Sequence, residues 1–284
     1  MRALITGAGG QLGRDLVTAF EGGPGRHEVI GARLDVGDRD AVLQAITAAR
    51  PAVVVHAAAW TAVDACESDP DRAYRSNALG TRHVAEGARL AGAHLIYVST
   101  DYVFDGSAEL PYREWDATNP LSVYGRSKLG GEQEAKRLLP GAAIVRTSWL
   151  CGAHGSNMVK TVLRLAAQTP DLAFVDDQRG CPTFTEDLAG LILQLASARL
   201  PGVFHATNQG ATTWYRFARH VLALAGLDPD RVQPITTAQL QPPRPAPRPA
   251  NSVLDNSALR LQGIPLLDDH RVPLERLVKQ LMTQ

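Results

Sequence analysis

Tyr124-Gly125-Arg126-Ser127-Lys128 holds a phenol and an ammonium four residues apart, the spacing that puts two side chains on one face of a helix a turn from each other. That pair can move a proton. A free tyrosine titrates near about 10 and is a poor acid-base group at neutrality, but a fixed cation beside it favours the phenolate and draws its pKa down. Tyr124 can then exchange a proton with a substrate oxygen. Ser99-Thr100-Asp101 offers a second polar group, because the Thr100 hydroxyl can bond a carbonyl oxygen or the phenol if both segments reach one crevice. Turn or cap chemistry is the other reading of that cluster. Taken together, Thr100, Tyr124 and Lys128 read as a three-part oxidoreductase site.

Such a site needs elements to position it and a partner to carry electrons. Arg2-Ala3-Leu4-Ile5-Thr6 reads as a buried strand running into Gly7-Ala8-Gly9-Gly10-Gln11-Leu12-Gly13 and a helix to about Phe20. In a dinucleotide-binding turn, Gly7 permits the tight turn, Gly10 lets backbone N–H groups approach a pyrophosphate, and Gly13 lets helix pack on strand. A glycine-rich hairpin or loop is the alternative. Further strands are expected at Glu28–Ala32, Ala52–His56, His94–Ser99 and Ala142–Thr147, alternating with helices at Arg39–Ala49, Pro70–Gly92 and Leu121–Leu138. This alternation predicts an α/β fold, a Rossmann-like doubly wound parallel sheet with helices on both faces and right-handed crossovers. The small residues Ala57, Ala58 and Ala59 follow one strand and leave room for a ribose, or simply pack tightly.

The chain has 284 residues, 45% of them hydrophobic, enough for a core and for a smaller second domain. Lys plus Arg and Asp plus Glu each number 29, so no overall charge recruits nucleic acid or an anionic membrane. The expected partner is a small molecule. No apolar run approaches the roughly 20 residues of a membrane span, and residues 1–6 enter a strand rather than a signal-peptide core, which makes the cytoplasm the expected location. Cys66, Cys151 and Cys181 lack metal-like spacing and read as reduced structural thiols.

The order of motifs resembles the extended short-chain dehydrogenase/reductase superfamily and, within it, the dTDP-4-dehydrorhamnose reductase family. The resemblance spans essentially the whole chain. It is carried by Thr6–Gly13, Arg50–Ala59, Ser99–Gly106, Pro120–Lys128, Arg146–Trp149, Asp177–Thr183, Thr212–Trp214 and Arg248–Ser252. It implies hydride transfer from NADPH or NADH to the C4 ketone of a dTDP-4-keto-6-deoxyhexose, giving dTDP-L-rhamnose. Tyr124 would protonate the alkoxide, Lys128 would hold the nicotinamide ribose and lower the tyrosine pKa, and Thr100 would polarise the ketone. Cofactor contacts implied are Gly7, Gly10, Gln11, Leu12, Gly13, Arg33, Asp35, Val36, Ala58, Ala59 and Thr61, with Tyr124 and Lys128. Arg33 could meet a 2′-phosphate, which tilts the expectation to NADPH with NADH accepted. Substrate contacts implied are Thr100, Asp101, Tyr124, Trp149, Asn157, Thr183 and Arg248. A tryptophan face suits the C–H face of a deoxyhexose, and a guanidinium can grip phosphates. The Pro-rich run around Arg248 could instead be a stiff connector.

The expected division is 1–148 plus about 183–209 for the dinucleotide, with about 149–182 and 210–284 for the substrate. Glu186–Ser197 and Gly202–Ala206 read as a helix and a strand returning to the parallel sheet. Two departures from the family stand out. His56 occupies a position where Asn is common, and Asp15 and Glu186 only partly match ligands for a Mg2+ ion at a subunit contact, so Mg2+ and a homodimer are weak expectations. Two other functions share this fold: an epimerase or dehydratase that retains NAD, and a noncatalytic dinucleotide-binding regulatory subunit. Net consumption of reduced cofactor excludes the first.

Overall fold

Short runs of Val, Ile, Leu and Ala make one six-stranded parallel sheet, seen in a computed structural model that describes residues 1–283 except Arg26. The strands β1 (Arg2–Thr6), β2 (Glu28–Ala32), β3 (Val53–His56), β4 (His94–Thr100) and β5 (Ala143–Thr147) come first. Four short pieces follow, β6 (Leu150–Cys151), β7 (Leu172–Val175), β8 (Arg179–Gly180) and β9 (Thr183–Phe184), before β10 (Gly202–His205) returns to the main sheet. The order is β10-β5-β4-β3-β1-β2, so the direction of winding reverses beside β1 and β3. A crevice at the carboxyl ends of the strands is expected there.

The strands are apolar on both faces because helices cover both. On one face, α1 (Gln11–Gly22) brings Leu12, Leu16 and Phe20 onto Ile5, Val55, Ile96 and Val145. On the other, α2 (Arg39–Ala49) contributes Val42 and Ile46 against Leu4, Val54, Leu95 and Tyr97. The alternation of Leu4 with Ile5 and of Val54 with Val55 is the two-residue strand period at work. Then come α3 (Val63–Ser68), α4 (Pro70–Tyr74), α5 (Gly80–Ala91) and α6 (Val123–Leu138). The continuous helix expected from Pro70 is interrupted by one π turn, Arg75–Leu79, between α4 and α5. There Asn77 accepts from the Trp60 N–H at 2.8 Å and donates to the Ser127 hydroxyl at 2.9 Å, tying this hairpin of helices to α6.

After β5 the chain adds α7 (Met158–Gln168), α8 (Thr185–Ala198), α9 (Trp214–Leu224), α10 (Ser257–Leu261) and α11 (Arg271–Met282), with β11 (Thr212–Thr213) and β12 (Val232–Ile235). Val159, Val162, Phe217, Val221, Leu274 and Leu277 of α7, α9 and α11 form a separate core. The helix α8 instead joins the first core through Leu188 and Ile192. The last stretch also divides, because Leu259 of α10 and Ile264 pack into that first core rather than with α9 and α11. Leu259 and Ile264 thus pack with the six-stranded sheet, although they lie within a stretch expected to serve the substrate.

One buried ion pair fastens α6 to the sheet. The Arg146 guanidinium on β5 donates twice to Glu132 on α6, both at 2.8 Å, and Ser99 on β4 donates to the same carboxylate at 2.7 Å. Arg146→Met would leave buried Glu132 without its hydrogen-bonded counter-charge, with only the half-exposed Lys136 at 3.8 Å beside it. Denaturant unfolding should then show a loss of about 3–5 kcal/mol. Replacing both partners with apolar residues should recover most of it, and a single substitution that costs nothing would show that the pair does not fasten the helix.

Candidate active site

The α6 helix starts where Ser122 caps it, its hydroxyl accepting the Gly125 N–H at 3.1 Å. Position 125 has room only for glycine: a Cβ there would lie 2.2 Å from the Tyr102 carbonyl. This close approach brings the first turn of α6 against the end of β4. Tyr124 and Lys128 therefore share a buried face beside Thr100.

The Lys128 ammonium donates to the Val98 carbonyl at 2.7 Å and lies 4.2 Å from the centre of the Tyr97 ring. Burial lowers its pKa to about 7, with the Glu132 charge pulling the other way. Burial also pushes the Tyr124 phenol well above 10, and the Thr100 hydroxyl works against that rise. Here the expectation from spacing needs correcting, since it had the lysine lowering the phenol. The geometry directs that cation at a carbonyl and a ring face, and desolvation of the phenolate dominates. The consequence suits a donor. Tyr124 keeps its proton at neutral pH and can still protonate an alkoxide, which is a stronger base than a phenolate.

Thr100 ends β4, its hydroxyl donating to Asp101 Oδ1 at 3.0 Å and accepting from the Tyr102 N–H at 3.2 Å. The Asp101 carboxyl is buried, which raises its pKa to about 6, and its Oδ2 has no hydrogen-bond partner among the described residues. His56 lies below, bonded to the Thr6 hydroxyl at 2.7 Å and the Thr81 hydroxyl at 3.2 Å. Burial and the Lys128 charge hold it neutral by lowering its pKa to about 3.

At the other end of the crevice, Gly7 adopts φ +72° and packs so closely on the residues after β3 that a Cβ would meet the Ala58 nitrogen at 2.7 Å. A Cβ on Gly13 would meet the Gly7 carbonyl at 2.0 Å. No side chain caps α1, so its first N–H groups remain open to an anion at the helix start. One cleft of about 430 Å³ runs from this turn to the tyrosine. It is lined by Gly7, Gly10, Gln11, Leu12, Gly13, Ala59, Thr61, Thr100, Asp101, Tyr124, Lys128, Trp149 and Trp214.

Other expected site residues lie elsewhere. Arg33 lines a surface hollow with Ala8 and Arg14 on the outer side of the glycine turn. Asp35 pairs with Arg75 at 3.0 Å, Val36 is buried under Gly80, and Ala58 backs onto Gly7. Asn157 caps α7 and donates to Gln11 Oε1 at 2.9 Å, so it braces a cleft residue rather than lining the cleft. Thr183 is fully buried and bonds the Cys181 carbonyl. Arg248 makes two 2.8 Å bonds to Asp64 on α3, whose carboxyl it holds down at about 2. The expected free phosphate grip is thus a clamp that ties the Pro-rich run to α3.

Asp15 accepts from the Thr185 hydroxyl, and with Glu186 it lines a second cavity beside His154 and Arg276. Among the described residues no three His, Cys, Asp or Glu side chains converge to hold a metal ion, so the Mg2+ expectation has no ligand set here. Cys66, Cys151 and Cys181 are free and buried.

Sequence reasoning missed Trp214 as a site residue. Its ring stacks on Trp149, centroids 3.5 Å apart and planes within 10°. Trp149 itself takes φ +49°, and a Cβ on Gly180 would lie 2.4 Å from its ring. The signal available was the Thr-Thr-Trp motif, with nothing in the spacing to pair it with residue 149.

With the cleft described, comparison with known proteins decides the family. The family model described as "RmlD substrate binding domain" matches residues 1–283. The chain belongs to this family. A relative from Streptomyces griseus named dTDP-4-dehydrorhamnose reductase is 45% identical, over 96% of this chain and 91% of its own. Another, from Streptomyces antibioticus, is also 45% identical, over 96% of this chain and 93% of its own. It is named a probable dTDP-4,6-dihydroxy-2-methyloxan-3-one 4-ketoreductase. A solved dTDP-4-dehydrorhamnose reductase from Bacillus anthracis, in complex with NADP, superposes with a TM-score of 0.93 at 37% identity, over 98% of this chain and 99% of that one.

The buried lysine gives this family member a measurable signature. Between about pH 7 and the ordinary 10.5, Lys128 is mostly neutral when folded and protonated when unfolded, so the unfolded state binds more protons. Stability contributed by this residue must therefore rise with pH across that window. In paired denaturation curves, Lys128→Met should remove that rise, and an identical pH dependence in both proteins would show that the ammonium is not desolvated. Gly13→Ala should abolish binding of a reduced nicotinamide dinucleotide, read by its fluorescence.

Proposed function

We propose that this chain uses NADPH or NADH to reduce the C4 ketone of dTDP-4-dehydro-6-deoxy-L-mannose, giving dTDP-L-rhamnose for polysaccharide synthesis. The observation that carries the reading is one cleft joining the glycine turn and open start of α1 to Thr100, Tyr124 and Lys128. The turn fits a dinucleotide: it lacks the Cβ atoms that would block a pyrophosphate, and Ala57 and Ala59 keep the adjoining wall shallow. When bound, the reduced nicotinamide supplies the hydride.

The protein's own work is orientation and proton supply. Thr100 donates to the ketone oxygen, which polarises C4 and places it beside Tyr124. Tyr124 gives its proton to that oxygen as the alkoxide forms. Lys128, which donates to the Val98 carbonyl, would hold the ribose hydroxyls, partners for a charge that burial alone disfavours. Arg33, on the hollow outside the glycine turn, would meet a 2′-phosphate, with Asp35 and Val36 behind it at the adenosine end. The stacked Trp149 and Trp214 offer the sugar a flat apolar wall, and Asp101 takes a sugar hydroxyl. Thr183 backs this wall through its N–H to the Trp149 carbonyl, Asn157 braces Gln11, and Arg248 holds the Pro-rich run against α3. Residues 1–148 with about 183–209 carry the cofactor, and 149–182 with 210–284 carry the sugar, apart from the 259–264 return.

A second reading keeps the chemistry and changes the sugar. The Streptomyces antibioticus relative is as similar as the Streptomyces griseus one and is named for a different ketose, so that second 4-ketose is a candidate substrate here as well.

The deciding assay follows reduced-nicotinamide absorbance with purified protein and dTDP-4-dehydro-6-deoxy-L-mannose. Loss of signal with one dTDP-L-rhamnose formed per cofactor is the expected result, and cofactor binding without turnover would move the reading to another ketose or to a regulatory role. Tyr124→Phe should lower kcat by about 10²–10⁴-fold while cofactor binding stays intact. Unchanged turnover would remove Tyr124 as the acid.

A further inference from the structure

We propose that Arg14 on α1 joins Arg33 after β2 in one clamp on the 2′-phosphate of NADPH, and that Arg14 is the residue that gives NADPH its preference over NADH. This rests on the nicotinamide-dependent reduction proposed above and names what selects between its two cofactors. The reacting cleft itself cannot select. NADPH and NADH differ only at the 2′ position of the adenosine ribose, far from the nicotinamide.

A dinucleotide site of this fold that selects NADH places an acid about 20 residues past the glycine turn, where its carboxylate accepts the ribose 2′-hydroxyl. Here that position holds Arg33. The acid closest to it in sequence, Asp35, is already engaged: one oxygen accepts the Gly37 N–H at 2.9 Å and the other accepts from Arg75 at 3.0 Å. The hollow outside the turn, about 280 Å³, is lined by Ala8, Arg14, Val17, Gly31 and Arg33, with no acidic side chain among them. It suits an anion.

Both guanidiniums border Gly9, in the middle of the turn. Arg14 Nε donates to the Gly9 carbonyl at 3.4 Å, and Arg33 Nε lies 4.0 Å from where a Cβ on Gly9 would stand. Helical side chains lean toward the N-terminus of their helix, so Arg14, in the first turn of α1, is carried back over the glycines. Gly31 lets β2 close on the same turn, since a Cβ there would lie 3.1 Å from that of Ala8. Nearby Arg2, Arg39 and Arg75 each pair with a carboxylate, whereas among the described residues Arg14 and Arg33 pair with none. Two unpaired cations on one hollow repel each other, and a bound dianion turns that repulsion into attraction. A phosphate also has three terminal oxygens, more than one planar fork can satisfy, so a second guanidinium adds bonds as well as charge. The 2′-hydroxyl of NADH offers neither.

The test titrates NADPH and NADH onto the whole protein without sugar, read by nicotinamide fluorescence. The wild type should bind NADPH more tightly than NADH by about tenfold or more at low salt. Added KCl should shrink that margin by weakening NADPH far more than NADH. Arg14→Gln should weaken NADPH by about tenfold and leave NADH binding as it was, so that NADH reports on the fold of the same variant. Arg14→Lys keeps the charge, loses the fork and should fall between the two. Adenosine 2′,5′-bisphosphate should displace NADH from the wild type better than adenosine 5′-monophosphate does, and Arg14→Gln should narrow that gap. Equal wild-type affinities, an Arg14→Gln protein that binds NADPH as before, or one that loses both dinucleotides alike would each overturn the clamp. The last of these would assign Arg14 to the shape of the turn. If neither dinucleotide binds the wild type, the reductase reading fails and takes the clamp with it. Equal affinities together with normal reduction of the sugar remove the clamp alone.

Discussion

The site depends on how α6 is held to the sheet. Tyr124, Lys128 and Glu132 follow each other at four-residue intervals, so one stripe of this helix carries the proton donor, the cation and the anchor. The anchor bonds Ser99, the residue before Thr100, and Arg146 on the neighbouring strand. The same contact that fixes the helix therefore fixes the strand end bearing the second hydroxyl. A buried ion pair adds little to net stability over an apolar pair of equal size, but it tolerates very little displacement. Geometry is what this site needs.

Burial sets the charges that surround that stripe. Water is excluded from Tyr124, Lys128, His56 and Asp101, and in each case desolvation is the main cause of the shift away from the ordinary pKa. All four move toward the neutral form. The cleft thus approaches electrical neutrality around a reaction whose own charge is brief, and a hydride acceptor gains most from groups that respond only as its oxygen becomes negative. His56, the departure from the family pattern, fits this setting as a neutral bridge between Thr6 and Thr81.

Much of this was legible in the chain. Strand and helix periods located β2 and α2 to the residue, although β2 is an edge strand with no fully buried residue, because α2 starts at the Asp38 cap and keeps Val42 and Ile46 at the four-residue period. The glycine turn and the Tyr124–Lys128 spacing were legible for a related reason, since each is a local arrangement. What local spacing does not encode is depth. It placed an ammonium near a phenol but not the loss of water around both, and so gave the wrong direction for the Tyr124 shift. Nor does it encode pairing at long range. Arg248 meets Asp64 across 184 residues, and Trp149 meets Trp214 from a separate helix, so neither partner was foreseen. The π turn at Arg75–Leu79 is invisible for another reason: one extra residue per turn leaves the apolar pattern on either side intact.

The return of Leu259 and Ile264 to the first core bears on how the molecule is made. That core is assembled from β1 at one end of the chain and from residues beyond 259 near the other, with α8 and β10 between them. A ribosome releases the chain from its N-terminus, and a domain built from contiguous sequence can close while synthesis continues. Here α1 and α8 can cover most of that face early, but Leu259 and Ile264 complete its apolar cover only once α10 has been made.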